Sequence, residues 1–181
     1  MSHTSEKFTP LTIAVVTVSD TRDESNDTSG NFLRDAALDA GHQVMDKSIV
    51  IDDIYHIRAL VSAHIANPRI QAILITGGTG FTERDNTPEA VAPLLDKCVE
   101  GFGELFRYLS FQEIGTSTIQ SRALAGLANN TIIFCVPGST GACRTAWENI
   151  IRAQLDSTQG PCNFAPHLKP SHAASCPGRG V

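Results

Sequence analysis

The stretch Thr76-Gly77-Gly78-Thr79-Gly80 decides the fold prediction because of the segments on either side of it. It directly follows the apolar run 70–75, Ile-Gln-Ala-Ile-Leu-Ile, which Pro68 bounds upstream. A short apolar run rich in β-branched residues that ends in glycines indicates a buried strand with a loop at its carboxyl end. The sequence 87–90, Thr-Pro-Glu-Ala, is typical of a helix start. The stretch therefore predicts a strand, a glycine loop and a helix in succession.

This glycine loop has the composition of a phosphate site. Its three glycines leave backbone N–H groups open to a phosphate, and Asp85 could hold a metal ion against that phosphate. No Lys-Ser/Thr pair follows the glycines, which excludes a Walker-type loop, and Glu83 replaces the third glycine of the dinucleotide-binding fingerprint. A turn that needs glycine only for its dihedral angles is the alternative. Thr79, Arg84 and Asp85 in one short loop favour the phosphate site.

Length and composition are those of one α/β domain. A chain of 181 residues can bury a substantial core, and its net charge of −5 argues against a nucleic-acid surface. No apolar stretch approaches the ~20 residues of a membrane span, and the first residues lack the apolar core of a signal peptide. Five cysteines without a CxxC pair indicate free thiols. We therefore predict a cytoplasmic protein.

Apolar runs predict the strands of a parallel sheet. Besides 70–75, such runs occupy 11–18 and 131–136. A further strand is predicted over roughly 43–50, and helical segments separate the strands. Strands that alternate with helices predict a mainly parallel sheet with helices on both faces. The carboxyl ends of parallel strands meet at one edge of a sheet, where ligands bind.

Helical spacing of apolar residues predicts the helices. We expect helices over 32–40 and 54–65, and a third helix with Thr87 as its N-cap. The segment 98–128 shows no clear pattern apart from a helix within 104–112. A last helix is predicted from one apolar stripe, Cys143, Trp147, Ile151 and Leu155.

Polar side chains follow each predicted strand, so we expect them at the same edge of the sheet. Ser19-Asp20 and then Asp27-Thr28-Ser29-Gly30 follow the first strand, Asp52-Asp53 the second, and Gly138-Ser139 the last. Because carboxylates repel phosphate oxygens unless a cation lies between them, we infer bound Mg²⁺. The alternatives are ordinary ones, since 27–30 is also a helix-capping sequence and Asp52-Asp53 could be an exposed turn.

Three motifs occur in the chain in a fixed order. They are TGGTGFTERDNTPEA at 76–90, EGFGELFRYLSFQEIGTSTIQSRALAG at 100–126 and VPGSTGACRTAWENI at 136–150. Together they resemble the MoaB/Mog family of molybdopterin-binding proteins, and most closely its branch of molybdenum cofactor biosynthesis protein B. The resemblance implies a three-layer α/β/α sandwich over 11–168 that assembles as a homotrimer or hexamer. Residues 1–10 are then an N-terminal extension, and 169–181 a tail that we expect to be disordered.

The resemblance also implies a function. Members of this family handle molybdopterin, and active members join it to AMP from Mg·ATP with release of pyrophosphate. A non-catalytic protein that holds molybdopterin or a precursor is the alternative. Other molybdenum-cofactor synthesis enzymes are implied as possible partners.

Residue roles follow from the same resemblance. Asp52 and Asp85 are implied to be catalytic and to bind Mg²⁺. Nucleotide contacts are implied for Asp20, Asp27, Ser29 and Gly30. Molybdopterin or phosphate binding is implied for Thr76, Gly77, Gly78, Thr79, Gly80, Ser121, Arg122, Gly138 and Ser139. Three ordinary alternatives remain: a dipole-stabilising acid at Asp85, a surface ion pair at Arg122 and a helix cap at Ser139.

Overall fold

A six-stranded sheet lies between two layers of helices in the computed structural model, which describes residues 5–170. The strands are β1 (Thr12–Val18), β2 (Gln43–Val50), β3 (Ala72–Thr76), β4 (Lys97–Cys98), β5 (Leu124–Ala128) and β6 (Thr131–Val136). They lie in the order β2-β1-β3-β6-β5-β4. Strands β2, β1, β3 and β6 are mutually parallel. Strands β5 and β4 extend the sheet on the β6 side and pair antiparallel. The predicted α/β fold with a mainly parallel sheet is confirmed.

The helices connect these strands. They are α1 (Thr28–Asp39), α2 (Ile54–Ala66), α3 (Thr87–Val91), α4 (Glu100–Ile114), α5 (Thr140–Ala146) and α6 (Arg152–Leu155). A π-helical turn, Trp147–Ile151, joins α5 to α6, so the predicted last helix is one continuous run. Short 3₁₀ helices occupy Ala92–Leu94, Gly115–Gln120 and Ala165–His167. Within residues 5–170, no helix is long and apolar enough to cross a membrane.

Both faces of the sheet are buried, which explains why its central strands are apolar throughout. Ile13 and Val15 of β1 pack in a core with α1, α4, α5 and α6. Ala14 and Val16 point the other way, into a second core with α2 and α3. Three layers therefore hold the loops at the carboxyl ends of the parallel strands.

The segment 98–128 contains more structure than the sequence predicted. Helix α4 extends beyond the predicted 104–112 at both ends, and β5 forms a hairpin with β6. The hairpin turns at Asn129 and Asn130, whose φ angles of 47° and 56° suit a two-residue turn of the type I′ kind. The sequence of β5, Leu-Ala-Gly-Leu-Ala, has no β-branched residue, so it gave no strand signal.

The prediction that Thr87 caps α3 is wrong. Asn86 is the N-cap and makes no side-chain capping hydrogen bond, whereas Thr87 lies inside the helix and is fully buried. The Thr87 hydroxyl donates to the carbonyl oxygen of Gly77, at 2.8 Å. This hydrogen bond between residues ten positions apart replaces the expected helix cap, and it links α3 to the glycine loop.

The predicted limits of the domain remain a prediction, but the structure locates some residues near both ends. Lys169, the first residue of the predicted tail, donates from Nζ to the carbonyl oxygens of Ile65 and Asn67, at 2.6 and 2.9 Å. Ser5 donates from its backbone N–H to the carbonyl oxygen of Ser157. The rest of the predicted extension and tail, residues 1–4 and 171–181, lies outside the described residues.

Candidate functional site

A cleft of about 440 Å³ opens at the carboxyl ends of β1, β3 and β6. This is the edge of the sheet at which the topology places ligands. Most of the residues proposed from the sequence line it, namely Thr76, Gly77, Gly78, Thr79, Gly80, Ser29, Asp85, Ser121 and Gly138. Asp20, Asp27, Gly30, Asp52, Arg122 and Ser139 are outside its lining.

The glycine loop, residues 76–80, needs glycine for its backbone. Gly77 and Gly78 have φ angles of 100° and 63°, and a Cβ on Gly77 would lie 2.2 Å from the carbonyl oxygen of Val18. Gly77 donates to the carbonyl oxygen of Val136, while the Gly78 carbonyl oxygen accepts from Thr87. Within residues 5–170, the N–H groups of Gly78 and Thr79 donate no hydrogen bond. Open donors on a fixed loop suit an anion such as phosphate.

Asp52 lies at the end of β2, only 5% exposed, with its carboxylate against the glycine loop. Its Oδ1 accepts from the backbone N–H and the side-chain amide of Asn86, at 2.9 and 3.2 Å. Burial raises the pKa of Asp52, and the nearby carboxylates of Asp85 and Asp20 act in the same direction. A cation beside Asp52 would relieve both effects.

Asp85 lines the cleft and stays ionised. Its Oδ2 accepts from the backbone N–H and the hydroxyl of Thr82, at 2.8 and 2.7 Å. Partial burial acts against ionisation, but these hydrogen bonds bring the pKa of Asp85 below its ordinary value. The carboxylate is thus held at the cleft by its own loop.

The two carboxylates fit a magnesium ion shared with a phosphate. A Cβ on Gly78 would lie 2.6 Å from Asp52 Oδ2, and a Cβ on Gly80 would lie 2.6 Å from Asp85 Oδ2, so both acids adjoin the glycine loop. The described residues contain no group of three His, Cys, Asp or Glu side chains that could hold a metal. Mg²⁺ commonly binds through one or two carboxylates and completes its shell with water and phosphate oxygens.

Asp20 bridges the loop after β1 and the segment after the glycine loop. Arg84 donates to it with two nitrogens, at 2.8 and 2.7 Å, and the backbone N–H of Asp52 donates to its Oδ1 at 3.0 Å. The Arg84 guanidinium, more than the Asp52 N–H, holds the pKa of Asp20 below its ordinary value. Asp20 therefore fixes the position of Asp52 from outside the cleft.

Asp27 is the N-cap of α1, as the ordinary alternative proposed. Its fully buried carboxylate accepts from the N–H of Gly30, the hydroxyl of Thr17 and the ammonium of Lys47, each at 2.9 Å. Burial opposes ionisation, but these partners lower the pKa of Asp27. Of the four residues proposed as nucleotide contacts, Ser29 alone lines the cleft.

The remaining proposed residues divide between the cleft and its surroundings. The Ser121 hydroxyl is buried at the cleft and has no hydrogen-bond partner among the described residues, which makes it available to a ligand. Ser139 caps α5, because its hydroxyl oxygen accepts from the N–H of Ala142 at 3.1 Å. Gly138 packs closely on Gly77, with a Cβ position 3.2 Å from the Gly77 Cα. Arg122 contacts the glycine loop from outside the cleft.

Several residues of the site gave no signal in the sequence. Arg22, Ile114, Ser117 and Gln120 line the cleft, and the last three belong to or adjoin the unpredicted 3₁₀ segment. Asn86, which holds Asp52, acts through a contact that only the folded chain creates. Among these residues, Arg22 could have been predicted, because it closely follows Ser19-Asp20 at the end of the first strand.

The fold and the cleft define a protein of the molybdopterin-binding class. Residues 14–157 match the family described as "Probable molybdopterin binding domain", which is most of the chain. This match spans the glycine loop, both carboxylates and the helix that follows β6.

Relatives narrow the family further. The chain is 63% identical over 169 residues to molybdenum cofactor biosynthesis protein B of Escherichia coli K12, covering 93% of this chain and 99% of that protein. A crystal structure of a molybdenum cofactor biosynthesis protein B is 43% identical, with a TM-score of 0.79 over 81% of this chain and 92% of the other. The tungsten cofactor synthesizing protein MoaB of Pyrococcus furiosus is 35% identical, with a TM-score of 0.68 over 78% and 90%. The chain therefore belongs to the MoaB/Mog family, in its protein B branch.

Proposed function

We propose that this chain acts in molybdenum cofactor biosynthesis by binding molybdopterin in the cleft and transferring AMP to it from Mg·ATP, with release of pyrophosphate. The observation that carries the proposal is that the carboxylates of Asp52 and Asp85 both adjoin the glycine loop, beside Gly78 and Gly80 respectively. A phosphate on that loop would lie near two acids, and a cation makes such an arrangement favourable.

The reaction needs no covalent intermediate with the protein. An oxygen of the molybdopterin phosphate attacks the α-phosphorus of ATP, and the bond from that phosphorus to the bridging oxygen breaks. Pyrophosphate leaves with the electron pair of that bond. Catalysis therefore depends on alignment of two phosphates and on neutralisation of their charge.

Residues in and beside the cleft have different roles in this reaction. The open N–H groups of Gly78 and Thr79 bind a phosphate, and the Ser121 hydroxyl donates to the same ligand. Asp52 and Asp85 would hold the metal, and Thr82 and Asn86 keep these carboxylates in place. Mg²⁺, when bound, neutralises the phosphate charge and orients the triphosphate.

A second candidate is a protein of the same pathway that binds molybdopterin or a precursor without turnover. The pairing of Asp20, one of the proposed nucleotide contacts, with Arg84 favours it. Under either candidate we propose a cytoplasmic homotrimer or hexamer, with other molybdenum-cofactor synthesis enzymes as further partners.

The test is turnover of purified protein with molybdopterin, ATP and Mg²⁺, followed by detection of adenylylated molybdopterin and pyrophosphate. Asp85→Asn is the informative variant, because its amide oxygen can still accept from Thr82 while the charge that binds the metal is lost. We expect at least about a 100-fold loss of turnover in a protein that still folds, with a slightly lower thermal midpoint because the lowered pKa of Asp85 shows that its carboxylate stabilises the folded state. Tight binding of molybdopterin without product in the unmodified protein would establish the second candidate instead.

A further inference from the structure

We infer that Arg122 is a positioning residue that fixes both ends of the loop carrying Asp85, and does not itself contact the substrate. The loop in question, residues 79–85, is called the acidic loop below. The inference deepens the proposed function and rests on it for the meaning of Asp85. It replaces the role of ligand binder that the family resemblance implied for Arg122.

Arg122 closes the acidic loop at its two ends. Its Nε donates to the carbonyl oxygen of Thr79 at 3.3 Å, and one terminal nitrogen donates to the carbonyl oxygen of Asp85 at 2.6 Å. The other terminal nitrogen pairs with the carboxylate of Glu89 in α3. One planar group thus joins the start of the loop, its end and the following helix.

The middle of the acidic loop also contacts the guanidinium. The Phe81 ring lies with its centroid 5.1 Å from the Arg122 Cζ, a cation–π distance. Phe81 is 70% exposed, so its contact with the guanidinium is a large part of the packing that it has. The Arg122 side chain itself is only 23% exposed.

The guanidinium contacts the backbone of the loop and the carboxylate of Glu89, and it makes no hydrogen bond with the Asp85 carboxylate. Thr79, Gly80 and Asp85 line the cleft, but Arg122 is outside that lining. Since Asp85 takes its hydrogen bonds from Thr82 of the same loop, the carboxylate moves wherever the loop moves. Holding the two ends therefore holds the Asp85 carboxylate in place at the cleft.

Arginine is suited to this task and lysine is not. A guanidinium presents several N–H donors in a rigid plane and stacks on an aromatic ring, whereas an ammonium is a point charge that cannot reach two separated carbonyls at once. Arg122→Lys keeps the charge beside Glu89 but loses the fork. Glu89→Gln is the matched control, because it removes the ion pair and leaves both carbonyl contacts.

The first measurement is hydrogen exchange at the acidic loop, with no substrate present. The amides of Thr82, Asp85 and Asn86 are hydrogen-bonded in or beside the loop, so their exchange reports its opening. We expect about tenfold faster exchange in Arg122→Lys, since one or two charge-assisted hydrogen bonds are lost, and little change in Glu89→Gln. Unchanged exchange in Arg122→Lys, or an equal increase in Glu89→Gln, would overturn the inference.

A second variant guards against a misfolded Arg122→Lys protein. Phe81→Leu alters an exposed side chain and removes the ring over the guanidinium, so we expect the same amides to exchange about threefold faster. If Arg122→Lys does not fold, the exchange rates of the same amides in Phe81→Leu test the inference. Unchanged exchange in Phe81→Leu would then contradict the role of Arg122 in holding the acidic loop.

Activity separates a positioning residue from a binding one. In Arg122→Lys we expect kcat to fall about tenfold and half-saturation by Mg²⁺ to move to higher concentration, with Glu89→Gln near the unmodified protein. A normal Mg²⁺ dependence together with weakened molybdopterin binding would show direct contact and refute positioning. If the unmodified protein has no turnover, the proposed function fails, and the exchange rates alone decide the role of Arg122.

Discussion

At the scale of one residue, the ionised carboxylate of Asp52 lowers the stability of the folded protein. Its pKa is raised by burial and by the Asp85 and Asp20 carboxylates, so the folded protein binds more protons than the unfolded chain between the ordinary and the raised pKa. Stability therefore falls as pH rises through that window, and the penalty persists at every higher pH. A group with this behaviour is destabilising in the resting protein and useful when a cation is bound.

We therefore expect Asp52→Asn to stabilise the protein at pH 7, by on the order of 1 kcal/mol. The gain should disappear when the pH falls below the ordinary carboxyl pKa of 3.8, because Asp52 is then neutral in both states. Thermal unfolding at pH 7 and pH 3 measures this difference.

Asp53→Asn is the control for this substitution, since its effect has the opposite sign. The pKa of Asp53 is lowered by His56, and its carboxylate caps α2 through the N–H groups of Tyr55 and His56. Its replacement should cost stability at pH 7. An Asp52→Asn protein that is less stable than the unmodified one at pH 7 would contradict the assigned penalty.

Gly78 shows that a residue can be required for the backbone as well as for a ligand. Its φ of 63° is strained for other residues, and a Cβ would lie 2.4 Å from the Thr87 hydroxyl and 2.6 Å from Asp52. We expect Gly78→Ala to lower the free energy of unfolding by about 2 kcal/mol with no ligand present. Urea unfolding measures this.

Gly101→Ala is the matched control for the glycine loop. Gly101 lies in α4, and a Cβ there meets nothing within 4 Å. Its replacement should stabilise the helix by about 0.5–1 kcal/mol. Equal effects of the two substitutions would mean that the loop backbone is not restrained. For the same reason, a bulky residue at Gly78 is a poor test of phosphate binding alone.

At the scale of elements, the sequence predicted what depends on local pattern and missed what depends on contact. The strands 11–18 and 131–136 were predictable because both of their faces are buried, which makes them apolar along most of their length. Strand β5 was not, because small residues pair with β6 without a local preference. Thr87 was misassigned because its hydroxyl has a partner ten residues away.

The candidate site was likewise predictable in part. Its location at the strand ends and its carboxylates were predictable from topology and residue type. The partners of each side chain were only partly predictable. The helix caps at Asp27 and Ser139 were among the alternatives, whereas the bond of Arg122 to the backbone of the neighbouring loop was not. Sequence patterns give the position of a residue along the chain, whereas these outcomes depend on which acceptors the fold brings within reach.

The end of α2 depends on a side chain from near the end of the described chain. Lys169 donates to two carbonyl oxygens there, those of Ile65 and Asn67, where a cation also suits the helix dipole. We expect Lys169→Met, which keeps the aliphatic stem, to lower the free energy of unfolding by about 1–2 kcal/mol. Lys97→Met, at an exposed lysine, is the control and should have little effect. Equal stabilities of the two variants would contradict the capping role.

At the scale of the whole molecule, the exposed apolar side chains are unevenly distributed. Within residues 5–170, ten large apolar side chains are exposed. Five of them lie on α4 and the 3₁₀ segment after it: Leu105, Tyr108, Phe111, Ile114 and Ile119. Such a concentration is typical of a surface that another chain covers. One of these residues, Ile114, also lines the cleft, so the apolar surface adjoins the candidate site.

We expect this surface to take part in the proposed homo-oligomer. A glutamate at its centre, Phe111→Glu, would place a charge where apolar contact is needed, and light scattering should then show a smaller assembly. Leu38→Glu is the matched control, because Leu38 is similarly exposed, at 48% against 54%, but lies on α1 away from the cluster. If both variants retain the mass of the unmodified protein, the interface lies elsewhere. If Phe111→Glu alone dissociates and also loses turnover, assembly supports the cleft through the adjoining Ile114, and the apolar surface belongs to the working site.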